Sequence, residues 1–192
     1  IYNRNMLNHG CIPLNEDGSF REVEVYGKSY KGKELYDVLE TYVRKAFVAL
    51  DKEEKEKGKD ILWFIWSSPS SPLFGKDKMA TFERYFLAEE ETHVENKNPY
   101  YSLLESDKVA EQIMKEFHIT GDCRHIVNGH VPVHHTKGES PIKCGGKILI
   151  IDGGFSKAYQ KETGIVGYTL IYNSWGMILA AHEPFTSAQE AI

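Results

Sequence analysis

Apolar residues recur along the chain with two different periods, and the switches between them mark the elements. Met6 to His9 reads as the end of a buried strand. Phe20 to Tyr26 interleaves Phe20, Val23 and Val25 with Glu22 and Glu24, the two-residue period of a half-buried strand, punctuated by Gly27 and Gly32. From Lys33 the spacing becomes three and four. Leu35, Val38, Leu39, Tyr42, Val43, Ala46, Phe47 and Leu50 predict an amphipathic helix with a polar tail from Asp51 to Lys57 and a stop at Gly58. Ile61 to Trp66, bounded by Asp60 and by the Ser/Pro cluster Ser67 to Pro72, predicts a buried strand feeding a long loop.

A second helix is expected over Lys78 to Leu87, and Pro99 breaks the pattern after it. Val109, Ile113, Met114 and Phe117 then form one face of a third helix. Strands are expected at Arg124 to Asn128, Lys147 to Asp152, Val166 to Tyr172 and Met177 to His182, the last two joined as a hairpin through Asn173 to Gly176. The mixture, with its antiparallel end, favours α+β layers around a sheet over a doubly wound fold. No internal repeat is present.

Composition narrows the function classes. With 192 residues and 41% hydrophobic side chains the chain can build one ordinary core. Lys and Arg number 23 against 28 Asp and Glu, a net charge of -5, without the basic excess that phosphate-backbone binding requires, so no nucleic-acid partner is expected. The longest apolar run, Ile61 to Trp66, falls far short of the roughly 20 residues of a membrane span, and no signal segment opens the chain, so no membrane partner is expected either. Three cysteines, Cys11, Cys123 and Cys144, leave at least one thiol free, which fits a cytoplasmic protein.

Two of the eight histidines stand where rigid scaffolds place functional imidazoles. His9 follows Met6-Leu7 and precedes Gly10; His130 follows Ile126-Val127 and Gly129. Each closes a short strand beside a glycine that lets backbone approach a bound group. They are far apart in sequence, so no local ligand spacing supports them, and the ordinary alternative is a loop histidine bonded to backbone. His134 and His135 read as an exposed loop. Trp63, Phe64 and Trp66 read as core, and Cys11 as a small buried side chain before a soft ligand.

Longer segments carry more information. Asn128 to Val133, Lys137 to Pro141 and Asp152 to Tyr159 resemble the class III fructose-1,6-bisphosphatases of bacteria, a branch of the calcineurin-like metallophosphoesterases. So do His9 to Gly18, the Trp66 to Lys76 loop with Thr81 to Phe86, Lys97 to Tyr101, and Gly167 to Ser174. Essentially the whole chain takes part. The resemblance implies a metallophosphoesterase-like α/β/β/α sandwich with a mixed sheet and a two-metal site in which His9 and His130 are ligands. Neutral imidazole suits manganese, iron or zinc, and manganese is the expected ion; two ions about 3.5 to 4 Å apart activate water for in-line attack on phosphorus.

Three motifs of that superfamily are missing: Asp-x-His, Gly-Asp-x-x-Asp and Gly-Asn-His-Glu. Gly121-Asp122 leads into Cys123-Arg124 without a second aspartate. Residues 1–192 are therefore expected to be the C-terminal portion of a metallophosphoesterase catalytic domain, with the catalytic groups in an N-terminal portion outside this chain and the metal site incomplete within it.

For substrate phosphate the cationic and hydroxyl candidates are Lys76, Arg84, Lys137, Ser140, Lys143 and Lys157, with backbone N–H groups of Gly153-Gly154 as a further option. Each also has an ordinary surface or turn role. The activity that the resemblance implies is hydrolysis of a sugar bisphosphate, fructose 1,6-bisphosphate, to the monophosphate and phosphate in gluconeogenesis. A phosphoprotein phosphatase remains open, because Trp66-Ser67-Ser68-Pro69 and His9-Gly10 also resemble Ser/Thr phosphatases. So does a noncatalytic regulatory or assembly module, and self-association into a homo-oligomer.

Overall fold

A computed structural model describes residues 1–155, 163–183 and 187–189. The chain divides into two compact units, one made of Ile1–His9 with Ile119–Ile192, the other of Gly10–His118.

The first unit is built on a four-stranded mixed sheet. Strands β1 (Asn5–Asn8), β4 (His125–Asn128) and β6 (Ile148–Ile150) run parallel, and β5 (Ile142–Lys143) joins antiparallel at the edge, in the order β1-β4-β6-β5. Strand β6 is buried at every position and β4 at three of its four, as expected where a parallel sheet is covered on both faces. A hairpin follows, β7 (Gly167–Asn173) with β8 (Gly176–His182), paired from Gly167↔His182 to Asn173↔Gly176. Ser174 and Trp175 form its turn, where the sequence places one. Gly153 and Gly167 meet so closely that a Cβ on Gly153 would lie 2.6 Å from Gly167 Cα, which accounts for the absence of a side chain at Gly153.

The second unit opens with a small hairpin, β2 (Val23–Val25) and β3 (Lys28–Tyr30), shorter than the run from Phe20 predicts. Tyr26 and Gly27 both take positive φ (49° and 76°), the tight turn that a two-residue hairpin loop demands. Helix α1 (Gly32–Val48) buries Leu35, Leu39 and Ala46, and the Glu116 carboxylate accepts from Lys33 N at 3.0 Å, satisfying a free donor at the helix start. Helix α3 (Thr81–Phe86) is shorter than its expected span; α4 (Asp107–Glu116) is where the period places it, with Ser106 accepting from Val109 N.

Helix α2 (Lys52–Ser67) is the main departure from the sequence pattern. The expected first helix stops at Val48, Asp51 caps a new one by accepting from Glu54 N at 2.9 Å, and Ile61 to Trp66 is helical. A short apolar run does not distinguish a buried strand from a helical face. Ile61 and Ile65, one turn apart, with Phe64 beside them, pack on Leu35, Leu39 and the β2 valines Val23 and Val25. Trp63 and Trp66, expected in the core, lie on the opposite face of α2 with exposures of 66% and 65%. Gly58, expected to stop a helix, lies inside α2 and is buried against α1. No helix among the described residues is long and apolar enough to cross a membrane.

Gly58 yields a direct test. A Cβ there would meet Tyr42 O at 2.6 Å and Ala46 Cβ at 2.7 Å. Gly58→Ala should therefore lower the urea midpoint by about 1–3 kcal/mol equivalent, against the roughly 1 kcal/mol that alanine gains in helix propensity. An unchanged or raised midpoint would mean that α1 and α2 are not packed this closely.

Candidate metal centre

Parallel strands place their carboxyl ends together, and ligands gather at such ends in open sheets. Because β1 and β4 pair in register from Asn5↔His125 to Asn8↔Asn128, the residues leaving the two strands emerge side by side. His9 and His130 are those residues. Their ring centroids are 5.0 Å apart with planes at 69°, and His130 Nδ1 lies 3.2 Å from His9 Nε2. The proximity expected of two histidines serving one centre is met.

The scaffold beneath them is polar and buried. Asn128, almost fully buried, donates from Nδ2 to Gly129 O at 2.8 Å and to His9 O at 3.4 Å, tying together the two turns that carry the imidazoles. Nothing in the sequence pattern singled out Asn128; an asparagine before glycine at a strand end was the available signal. His130 itself has φ 65°, the left-handed region that histidine tolerates better than branched residues, so its ring is aimed by a constrained backbone. Just beyond the end of β6, the next strand of the sheet, Asp152 accepts from Gly154 N at 3.1 Å, and its carbonyl accepts from Val133 N. The Gly154 N–H is thus engaged in a turn and not held ready for an anion.

Two imidazole nitrogens on one tetrahedral ion, each about 2.1 Å from it, stand about 3.4 Å apart. The 3.2 Å separation fits a pair of donors to a single cation, and without one it fits one ring donating to the other. The set is partial: among the described residues no three His, Cys, Asp or Glu side chains are grouped to hold a metal. Cys11, in the other unit, is buried as the sequence suggests, and burial pushes its thiol up to about 12.

The expected phosphate contacts fare differently. In the Gly10–His118 unit, Lys76 Nζ lies 2.7 Å from Glu95 Oε2 and Arg84 Nη2 3.7 Å from Glu95 Oε1, while Ala80 N donates to the same carboxylate. Burial raises the Glu95 carboxyl, but Lys76, the Ala80 N–H and Arg84 outweigh it and hold it below its ordinary value. These two cations therefore brace the 76–97 loop. In the other unit Lys143, buried, pairs with Glu139 at 3.2 Å, and Ser140 Oγ closes its own turn by accepting from Ile142 N. Lys137 is exposed in a 3-10 turn, and Lys157 lies outside the described residues. His135 is exposed, whereas His134 is half-buried, its N–H held by Glu139 Oε2 at 2.9 Å. Glu95 and Glu139, the anions that occupy the predicted cations, were not read from the sequence; only the i, i+4 spacing of Glu139 and Lys143 signalled a pair.

Burial also raises the Glu139 carboxyl, and the His134 N–H and Lys143 outweigh it, so the net is a lowered value. The stabilisation is then full above the ordinary glutamate range and is lost as pH falls through the lower folded-state value. Exchange of the His134 amide should be slow and level in protection down to about pH 5 and should accelerate relative to the intrinsic rate below about pH 4. Glu139→Gln should abolish that acid step; a step that persists in the variant would assign it to another group.

A family model described as Firmicute fructose-1,6-bisphosphatase matches residues 1–192. The class 3 fructose-1,6-bisphosphatase of Clostridioides difficile (strain 630) is 59% identical over 191 residues, 99% of this chain and 29% of that protein. A class 3 enzyme of Clostridium beijerinckii is 54% identical over 191 residues and that of Listeria monocytogenes serotype 4b 53% over 192, each again across 29% of its length. The chain thus spans less than a third of the curated relatives it matches. No solved structure matches it. With the family model covering every residue, the chain belongs to the Firmicute fructose-1,6-bisphosphatase family.

Proposed function

We propose that this chain is the C-terminal portion of the catalytic domain of a cytoplasmic class 3 fructose-1,6-bisphosphatase. In this reading it contributes His9 and His130 to a divalent-metal centre that hydrolyses fructose 1,6-bisphosphate to fructose 6-phosphate and phosphate. The observation that carries the reading is the meeting of the two imidazoles at 3.2 Å, at the carboxyl ends of adjacent parallel strands. The family match favours a sugar bisphosphate over a phosphoprotein. A metallophosphoesterase sandwich would place the β1-β4-β6-β5 sheet as one of two facing sheets, with the remaining ligands on the other portion of the domain.

When bound, divalent ions polarise a phosphoryl oxygen and acidify the attacking water, and manganese suits imidazole donors. The residues of this chain orient that chemistry. Asn128 holds the His9 and Gly129 carbonyls, and the left-handed backbone at His130 fixes the direction of its ring, so that both lone pairs are presented together. Of the candidate cations among the described residues, Lys137, exposed and next to Gly138, is the one left to meet a phosphate, because Lys76, Arg84 and Lys143 are spent on carboxylates.

In the longer enzyme, His130→Ala should lower kcat for phosphate release by at least about a hundredfold, with a chelator reproducing the loss in the parent enzyme. Lys137→Ala should act mainly on KM. Purified alone with manganese, the 192-residue chain should release negligible phosphate, because two imidazoles leave the ions short of carboxylate ligands. Normal turnover by the His130 variant with normal metal content would overturn the ligand assignment, and chelator-sensitive turnover by the isolated chain would show that the site is complete within it.

A further inference from the structure

Strand β1 is at one edge of the four-stranded sheet, and its outer side has already begun to acquire a partner. Tyr2 and Asn5 exchange both backbone hydrogen bonds, Tyr2 N to Asn5 O and Asn5 N to Tyr2 O, each 2.8 Å. Between them Asn3 and Arg4 both take positive φ, 46° and 64°. This is the closing pair and the two-residue primed turn of a β-hairpin, the connection that matches the twist of two antiparallel strands. Asn5 therefore points its N–H and C=O away from β4. By the alternation of a strand, Leu7 does the same. Among the described residues only Tyr2 pairs along that edge.

The face above the edge is equally incomplete. Leu7 is 63% exposed although the position across the ladder from it, Val127, is buried. A groove of about 410 Å³ runs over this face, walled by Leu7, Val127 and Ile151 on the sheet side and by Tyr168, Leu170 and Tyr172 of β7 on the other. Asn5, nine-tenths buried, lines it and carries an Oδ1 with no hydrogen-bond partner. Apolar walls beside an unpaired edge call for a strand with apolar side chains, and the orphaned Asn5 Oδ1 shows that this face still lacks a hydrogen-bond donor that a covering segment would bring.

We infer that in the longer enzyme an antiparallel strand, contributed by the polypeptide leading into the Tyr2 turn, pairs with the outer edge of β1 and fills this groove. The inference rests on the reading of this chain as part of that longer enzyme, whose relatives extend well beyond the 29% matched here. The register follows from the closing pair. With Tyr2 opposite Asn5, Ile1 falls opposite Met6 and the residue ahead of Ile1 opposite Leu7. That residue shares the face of Leu7 and points into the groove, so it is expected to be apolar. The function of the strand is positional: β1 ends at Asn8 and leads directly into His9, and pairing on both edges removes the freedom of a four-residue edge strand to shift the imidazole it delivers.

Residue-resolved hydrogen exchange on the longer enzyme tests this. The Leu7 amide should be protected at least about a hundredfold over an unpaired amide, comparably to Met6 and Asn8, and unchanged by about tenfold dilution. Exchange of Leu7 at the unpaired rate while Met6 and Asn8 stay protected overturns the strand. Protection that fades on dilution also overturns it and assigns the edge to a second copy. Phosphate release from fructose 1,6-bisphosphate, measured on the same sample, keeps the two readings apart: a protected Leu7 in an enzyme without activity supports the strand while refuting the proposed reaction.

Discussion

Everything at the candidate centre depends on one parallel pairing, β1 on β4. It brings residues from the start of the chain to residues beyond the middle, and its register decides which side chains leave the two strands together. A slip of one position would turn Met6, buried in the ladder, outward and would separate His9 from His130. The register is held by burial: Met6 and Ile126 are paired and inaccessible, and Asn128 closes the end of the ladder with hydrogen bonds to both turns. The geometry of the imidazoles is thus a property of the sheet, and their own contacts with each other are its outcome.

One ion pair in each unit is built the same way. Two lysines partly withdrawn from water are each met by a carboxylate: Lys76 by Glu95 and Lys143 by Glu139. Each carboxylate also accepts a backbone N–H, from Ala80 and from His134 respectively, so its lone pairs are shared between charge and main chain. Such pairs fix loop shape more than they add stability, because desolvation of both partners offsets much of their attraction. Lys76 and Lys143, which look available for phosphate in the sequence, are committed to the architecture in the folded chain.

Local, periodic features were the most legible in the sequence. Helix α4 and the β7–β8 hairpin lie where spacing and turn residues put them, and the strands ending at His9 and His130 are within a residue or two of their expected limits. Ile61 to Trp66 was misread because a run of six apolar residues carries no period of its own; the deciding information was the α1 face it packs against. Trp63 and Trp66 followed the same error. The two histidines of the candidate centre were visible through their glycines and the family resemblance, but Asn128 was not, and neither were Glu95 and Glu139 as partners of the expected phosphate contacts, since such partners are chosen by tertiary structure.

The sequence position of the Gly10–His118 unit has a separate consequence. Adjacent parallel strands need a crossover of only about a dozen residues, yet between β1 and β4 the chain spends the whole stretch 9–124. Making such a connection roughly tenfold longer costs only about 2 kcal/mol in closure entropy, and a connection that folds on itself recovers part of even that. Closure entropy therefore sets no tight bound on the length of the crossover, and the two strand ends that deliver the imidazoles stay where the ladder puts them whatever folds between them.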